Sequence, residues 1–381
     1  MDTIYIVIVL VLLGLAVLDL VVGVANDAVN FLNSAIGSKV APLWVILTVA
    51  SGGVLLGSLF SSGMMEIARS GVFYPDKFNY HDIMLLFLAV MVTDVILLDV
   101  FNTFGLPTST TVSLVFELLG AAVAVALVNI WQSGNGILLD YINSGKALTI
   151  ISGILISVVI AFVVGTIIMY FSRLLFSFNY KKSFKYIGAF WSALALTAIS
   201  YFAIFKGLKG TTLISKDVIE NISENITQYL IYTWLFWSIL LSVLQWVFKV
   251  NILRIIILAG TAALALSFAG NDLVNFIGVF MAGLSSYEIA NEAIAAGGSV
   301  DGLTMGKLSE PISVDWRYLF GAGIIMILAL WFSKKARSVT ATGVDLSRQG
   351  EGQERFNSTS ASRSIVRNVI GINKFIHKLT P

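Results

Sequence analysis

Stretches of about 20 apolar residues recur from one end of this 381-residue chain to the other, and each is long enough to cross the hydrocarbon core of a bilayer. Hydrocarbon offers backbone groups no hydrogen bonds, so runs of this kind fold as helices. Composition agrees. The chain is 57% hydrophobic and 12% charged, with a mean hydropathy of +0.89, and its charged share is about half that of a soluble domain. The sequence therefore predicts an all-α polytopic membrane protein. It has no Cys, which excludes disulfides, thiolate catalysis and zinc-thiolate sites. Its two His, His81 in a loop and His377 in the tail, exclude a buried His cluster. The net charge of +2 says little about partners, because the charge lies in loops and tail. The first apolar run follows Met1 and Asp2 with no basic flank or clear cleavage site, and predicts a retained helix.

Length and apolarity predict about nine membrane segments, at 3–37, 42–68, 82–103, 107–130, 147–171, 184–205, 228–248, 252–283 and 316–333. The second is rich in Gly and Ser ("SGGVLLGSLFSSG"), residues that let helix backbones approach closely. The basic flanks are "NYKKSFK" (179–185), Lys249 with Arg254, and "KKAR" (334–337). A nine-span path places them all in the cytoplasm and the N-terminus outside. The chain then divides into a first repeat with flanking helices (1–205), an extracytoplasmic loop (206–227), the start of a second repeat (228–333) and a basic cytoplasmic tail (334–381). The first half of the tail reads as flexible. Its end, "SRSIVRNVIGINKFIHKL", has the amphipathic pattern of a helix lying on a membrane surface or packing on a partner domain.

One short pattern occurs twice. "ANDAVNF" (25–31) and "GNDLVNF" (270–276) match at Asn, Asp, Val, Asn and Phe, each following about 20 apolar residues. The first lies in span one and the second in span eight, so the two copies enter the membrane in opposite directions. That predicts an inverted-repeat secondary transporter with broken or re-entrant helices.

A carboxylate in mid-membrane costs about 2.5–3.5 kcal/mol on insertion scales, and Asp27 and Asp272 incur that cost twice. No Lys or Arg in nearby spans pairs with them, which leaves a proton or a small hard cation as partner. Asn26 and Asn30 are spaced i, i+4, and Asp27 and Asn30 i, i+3, so they share a helical face; Asn271, Asp272 and Asn275 repeat the spacing. Gly23 and Gly270 precede the clusters, where a helix can unwind and free carbonyls. A third element, "GLPTSTTVSLVFELLG" (105–120), sets Pro107 and then Thr108, Ser109, Thr110 and Thr111 at a helix start, where free N–H groups attract anions. Donors for an anion beside carboxylates that need a cation amount to a binding logic for cation-coupled oxyanion transport. Asp19, Asp94, Asp99 and Glu117 also lie in spans, and each could serve a coupling site or a proton path, or be paired inside the bundle.

At these residues the chain resembles the inorganic phosphate transporter (PiT) family. That family carries Gly-Ala-Asn-Asp-x-x-Asn in each repeat, read here as "GVANDAVN" and "FAGNDLVN", and Pro-x-Ser-Thr-Thr, matched by "LPTSTT". The resemblance covers most of 1–333. It implies symport of phosphate with Na⁺ or H⁺ by alternating access, with no cofactor beyond the coupling ion. It implies phosphate ligands at Asn26, Asp27, Ser109, Thr110, Thr111, Asn271 and Asp272. Ion ligands would be Asn26, Asp27, Asn30, Asn271, Asp272 and Asn275. No second Pro-x-Ser-Thr-Thr follows span eight, so the chain reads as an N-terminal portion of a longer transporter, with its tail as a central linker.

A transporter for sulfate or another oxyanion, of the same build, is the near alternative, and a non-transporting membrane subunit follows if the truncation is natural. An enzyme is not expected, because the interfacial acid, His or Lys clusters of membrane enzymes are missing. The expected partners are inorganic phosphate and membrane lipid, with a homodimer as one option and no nucleic acid. The expected location is a bacterial inner membrane.

Overall fold

A computed structural model describes residues 3–61, 71–176, 180–202, 221–310, 314–347 and 359–379. Its helices are α1 (Thr3–Gly37), α2 (Leu43–Leu59), α3 (Tyr80–Phe104), α4 (Thr110–Ser133), α5 (Ser144–Leu175), α6 (Tyr180–Phe202), α7 (Ile226–Trp246), α8 (Ile252–Ala295), α9 (Trp316–Phe332), α10 (Lys334–Leu346) and α11 (Ser360–Leu379). All nine predicted segments coincide with helices, and fewer than nine of these pass as full spans among the described residues. Among the described residues, six helices (α1, α3, α4, α5, α7 and α8) are long and apolar enough to cross a membrane. The pair α9–α10, bent by 68°, makes a seventh if taken as one span. The shortfall has local causes. α2 has 17 residues, and the end of its predicted segment, 62–68, lies outside the described residues. α6 opens with "YKKSFK", whose lysines interrupt the apolar run. Most of the predicted loop 206–227 also lies outside the described residues.

The two motif-bearing helices form the centre. A Cβ on Gly23 of α1 would fall inside the ring of Phe276 on α8, and Phe31 packs on Phe268 with ring centroids 5.1 Å apart. Residue numbers thus rise along α1 as they fall along α8, so the two copies of the motif cross antiparallel. This is the arrangement an inverted repeat requires. The core continues through α2, whose Gly53 and Gly57 lie directly against the carbonyls of Ala262 and Leu266 on α8, and through α3, α9 and α10 around α1. A smaller cluster joins α6, α7 and the start of α8 through Ala189, Ala193, Leu196, Leu241 and Ile252. α5 is apolar on every side and almost wholly exposed, as suits a helix surrounded by hydrocarbon.

Two expectations change. The helices do not unwind at Gly23 and Gly270: α1 runs unbroken for 35 residues and α8 for 44. Gly23 instead removes a side chain where Phe276 needs the space. The break in the bundle lies between α3 and α4, where Gly105 (φ 67°) closes α3 in the left-handed region and residues 106–109 are non-helical, Ser109 being extended. Nor is the start of the tail flexible. Ser333 caps α10 by accepting from Ala336 N–H, and Ala336, Val339, Thr340 and Thr342 are buried. A Cβ on Gly343 would strike Val29. α10 is short and weakly apolar, but these small residues fit it against the motif face of α1.

Candidate functional site

The non-helical stretch 106–109 delivers the N-terminus of α4 to the crossing of α1 and α8. Asn26 sets that position. Its Nδ2 donates to Asn102 Oδ1 (2.8 Å) and to the Leu106 carbonyl (3.0 Å), and its Oδ1 accepts from Thr108 N–H (2.7 Å). Asn102, at the end of α3, donates in turn to the Val22 carbonyl at 2.7 Å. Both amides are buried, where an unmade hydrogen bond costs about 1–3 kcal/mol, so this junction is firmly specified.

From there, adjacent threonines of α4 reach carboxylates on two different helices. Thr110 Oγ1 donates to Asp27 Oδ2 of α1 at 2.8 Å. Thr111 Oγ1 donates to Asp272 Oδ1 of α8 at 3.3 Å. Asn275 closes the ring, its Nδ2 lying 3.2 Å from Thr110 Oγ1, 3.0 Å from Thr111 Oγ1 and 3.2 Å from Asp272 Oδ1. Asp27 and Asn275 are buried. Two carboxylates, two hydroxyls and the amide N–H₂ of Asn275 therefore meet at one point. Among the described residues, no Lys or Arg forms an ion pair with Asp27 or Asp272.

The other predicted residues lie around this ring rather than in it. Ser109 is the N-cap of α4, accepting from Val112 N–H at 3.3 Å, and lines a cavity between α3 and α4. Asn271 donates to Ser267 Oγ within α8 at 3.1 Å. Asn30 is exposed, whereas its counterpart Asn275 is not. The amide of Asn26 is engaged by the protein, as described. Sequence reasoning did not single out Asn102; the only cue was a polar residue one turn before the αL glycine that ends α3.

A second acidic group lies nearby. Asp19 of α1 and Asp94 of α3 are fully buried, and Ser113 of α4 sits between Asp94 (Oδ1 at 3.0 Å) and Glu117 (Oε1 at 2.7 Å). Asp99, by contrast, is not part of it. Its carboxylate pairs with Lys335 of α10, which also donates to Thr103 Oγ1 at 3.0 Å.

Known proteins of similar sequence and fold place the chain in a family. A protein of Thermococcus kodakarensis named "Putative phosphate permease" is 25% identical over 263 residues, covering 67% of this chain and 61% of that protein. One of the same name from Pyrococcus furiosus is 22% identical over 262 residues, covering 67% and 60%. The chain thus spans about three fifths of the length of these relatives. A solved structure described as "The sodium-dependent phosphate transporter" shares the fold, with a TM-score of 0.58, 19% identity and 90% of each chain covered. Residues 23–346, which hold both Asn-Asp motifs and the threonine pair, match the phosphate transporter family. This chain is a membrane protein of that family.

Proposed function

We propose that the chain carries out cation-coupled symport of inorganic phosphate by alternating access, with Na⁺ or H⁺ as the coupling ion. The observation that carries this reading is the ring at the crossing of α1 and α8, where Thr110 and Thr111 donate to Asp27 and Asp272. Each hydroxyl has one hydrogen. While both are held by carboxylates, neither is free for an anion. A cation or proton on Asp27 and Asp272 neutralises the acceptors and releases the hydroxyls, and the free N–H groups of α4 lie beside them. Cation binding then precedes tight anion binding, which is coupling. In this reading Asn275 holds the two halves in register, and Asn26 positions the threonines.

The names of the relatives favour phosphate, and a proton on phosphate gives Asp27 or Asp272 a donor to accept from. Basic residues near the end of α1 support a cytoplasmic side there: Lys39 follows the helix, and Arg254 Nε donates to the Val40 carbonyl at 2.9 Å.

Uptake of radiolabelled phosphate into proteoliposomes tests this, with a Na⁺ gradient, a proton gradient and sulfate competition as separate arms. Gradient-driven uptake is expected in the wild type and background uptake in Asp27→Asn with Asp272→Asn. Unchanged uptake in that double variant would sink the mechanism, and complete competition by sulfate would move the assignment to oxyanions in general.

A further inference from the structure

The buried acids Asp19 and Asp94 and the half-buried Glu117 are not used by the mechanism above, although they come from the three helices α1, α3 and α4 that position it. The Asp19 carboxyl faces that of Asp94, and among the described residues neither Asp19 oxygen has a hydrogen-bond donor; Asp94 Oδ2 and Glu117 Oε2 also lack one there. The charged groups acting on Asp19 are Asp94, Glu117 and, further along α1, Asp27, all of one sign. Among the described residues, no Lys or Arg forms an ion pair with any of the three, and no group of three or more acidic or His side chains has the arrangement of a metal site.

The hydrogens can be counted. Ser113 Oγ is within hydrogen-bond range of both Asp94 Oδ1 (3.0 Å) and Glu117 Oε1 (2.7 Å). A hydroxyl has one hydrogen and can donate to only one of them. The other contact is a hydrogen bond only if that carboxyl carries a proton and donates to Ser113. The facing Asp19–Asp94 pair has the same requirement, since two ionised carboxylates cannot persist side by side away from water. Glu117 is half-buried, and with Ser109 and Ser113 it lines a cavity of about 520 Å³ between α3 and α4. The chain Asp19–Asp94–Ser113–Glu117 therefore leads from the sealed interior to an opening.

We infer that Asp19, Asp94 and Glu117 form a proton-binding site separate from the Asn-Asp ring, with Ser113 as the relay and Glu117 as the point of proton exchange. Its ligand is the proton, whichever anion the ring takes. The contents are carboxyl O–H groups in place of unpaired charges, so proton loss from the site would leave like charges facing one another in the core.

Infrared spectroscopy of the purified full chain in lipid nanodiscs tests this without any anion, so its outcome is separate from that of the transport reading. At neutral pH the wild type is expected to absorb in the protonated-carboxyl region, with a shift in D₂O. The band should weaken in Glu117→Gln, weaken further in Asp19→Asn with Asp94→Asn, change frequency in Ser113→Ala, and survive Asp27→Asn with Asp272→Asn. Glu117→Gln alters a partly exposed side chain and keeps the test open if the buried pair does not tolerate change. No such band in the wild type, a band that persists at full strength in Glu117→Gln and in the buried-pair variant, or its removal by Na⁺ at constant pH would each overturn the inference; the last would make the occupant a cation.

Discussion

Thr110 and Thr111 are neighbours in sequence, yet their hydroxyls reach carboxylates on two different helices. Consecutive residues on a helix point about 100° apart, so this pair, in the first turn of α4, can reach α1 and α8 on either side. Losing a buried hydroxyl partner costs about 1–3 kcal/mol, or roughly tenfold to a hundredfold in affinity. Thr110→Ala and Thr111→Ala are each expected to raise the apparent KM for phosphate by that order in proteoliposome uptake. Thr110→Ser, which keeps the hydroxyl, should stay close to wild type. Equal behaviour of the Ala and Ser variants would remove the hydroxyl from the mechanism. The residue types of the site were legible in the sequence because the motif occurs twice and the threonines follow a proline. Which copy of each residue faces the ring was not. Asn30 and Asn275 hold equivalent places in the repeat, but helix rotation depends on what packs behind: α4 covers Asn275 and leaves Asn30 uncovered. The Asn26–Asn102 bond joins residues 76 apart, a contact that no local pattern marks.

Helices as long as α1 and α8 can cross closely only if small residues line the contact, and α2 does the same against α8. A Cβ on Gly57 would overlap the Leu266 carbonyl and sit 2.9 Å from Ala269 Cβ. Gly52, one position before Gly53 on α2, has nothing within 4 Å. Overpacking of a tight contact costs about 1–3 kcal/mol, whereas Gly to Ala in an open helix position gains about 0.8–1.0 kcal/mol in propensity. Gly57→Ala is therefore expected to lower the thermal midpoint of the purified protein, and Gly52→Ala to hold or raise it, read by tryptophan fluorescence on heating. A drop of the same size in both would point to general helix loss instead of a close backbone approach. The Gly- and Ser-rich run announced this contact in the sequence. What it did not announce was that Gly23 serves packing too. A glycine before a polar cluster reads equally well as a hinge, and only the Phe276 ring lying on it separates the two. α10 was hidden for a related reason: its burial rests on small and polar residues meeting Val29 and Asn33, with no apolar stripe to read.

Across the whole molecule the two copies of the Asn-Asp motif lie on helices that cross antiparallel, yet their equivalent sites differ in exposure. Asn30 is exposed, and Asn275 is 2% exposed within the ring. In an inverted-repeat transporter the two access states exchange the roles of the halves, so the asymmetry of one state should appear reversed in the other. The chain has no cysteine, and a single introduced thiol reports on its own position. In membrane vesicles, Asn30→Cys is expected to react readily with a hydrophilic maleimide and Asn275→Cys slowly under the condition that favours the state described here. Shifting the balance with coupling ion and phosphate, added to one side, should slow the first and speed the second. The two rates need to move in opposite directions, because a general loosening of the bundle would raise both and ligand shielding alone would lower both. Rates that keep the same order under every combination of Na⁺, pH and phosphate would mean that the halves do not exchange roles, and that α1 and α8 act as a fixed frame past which another part of the bundle moves.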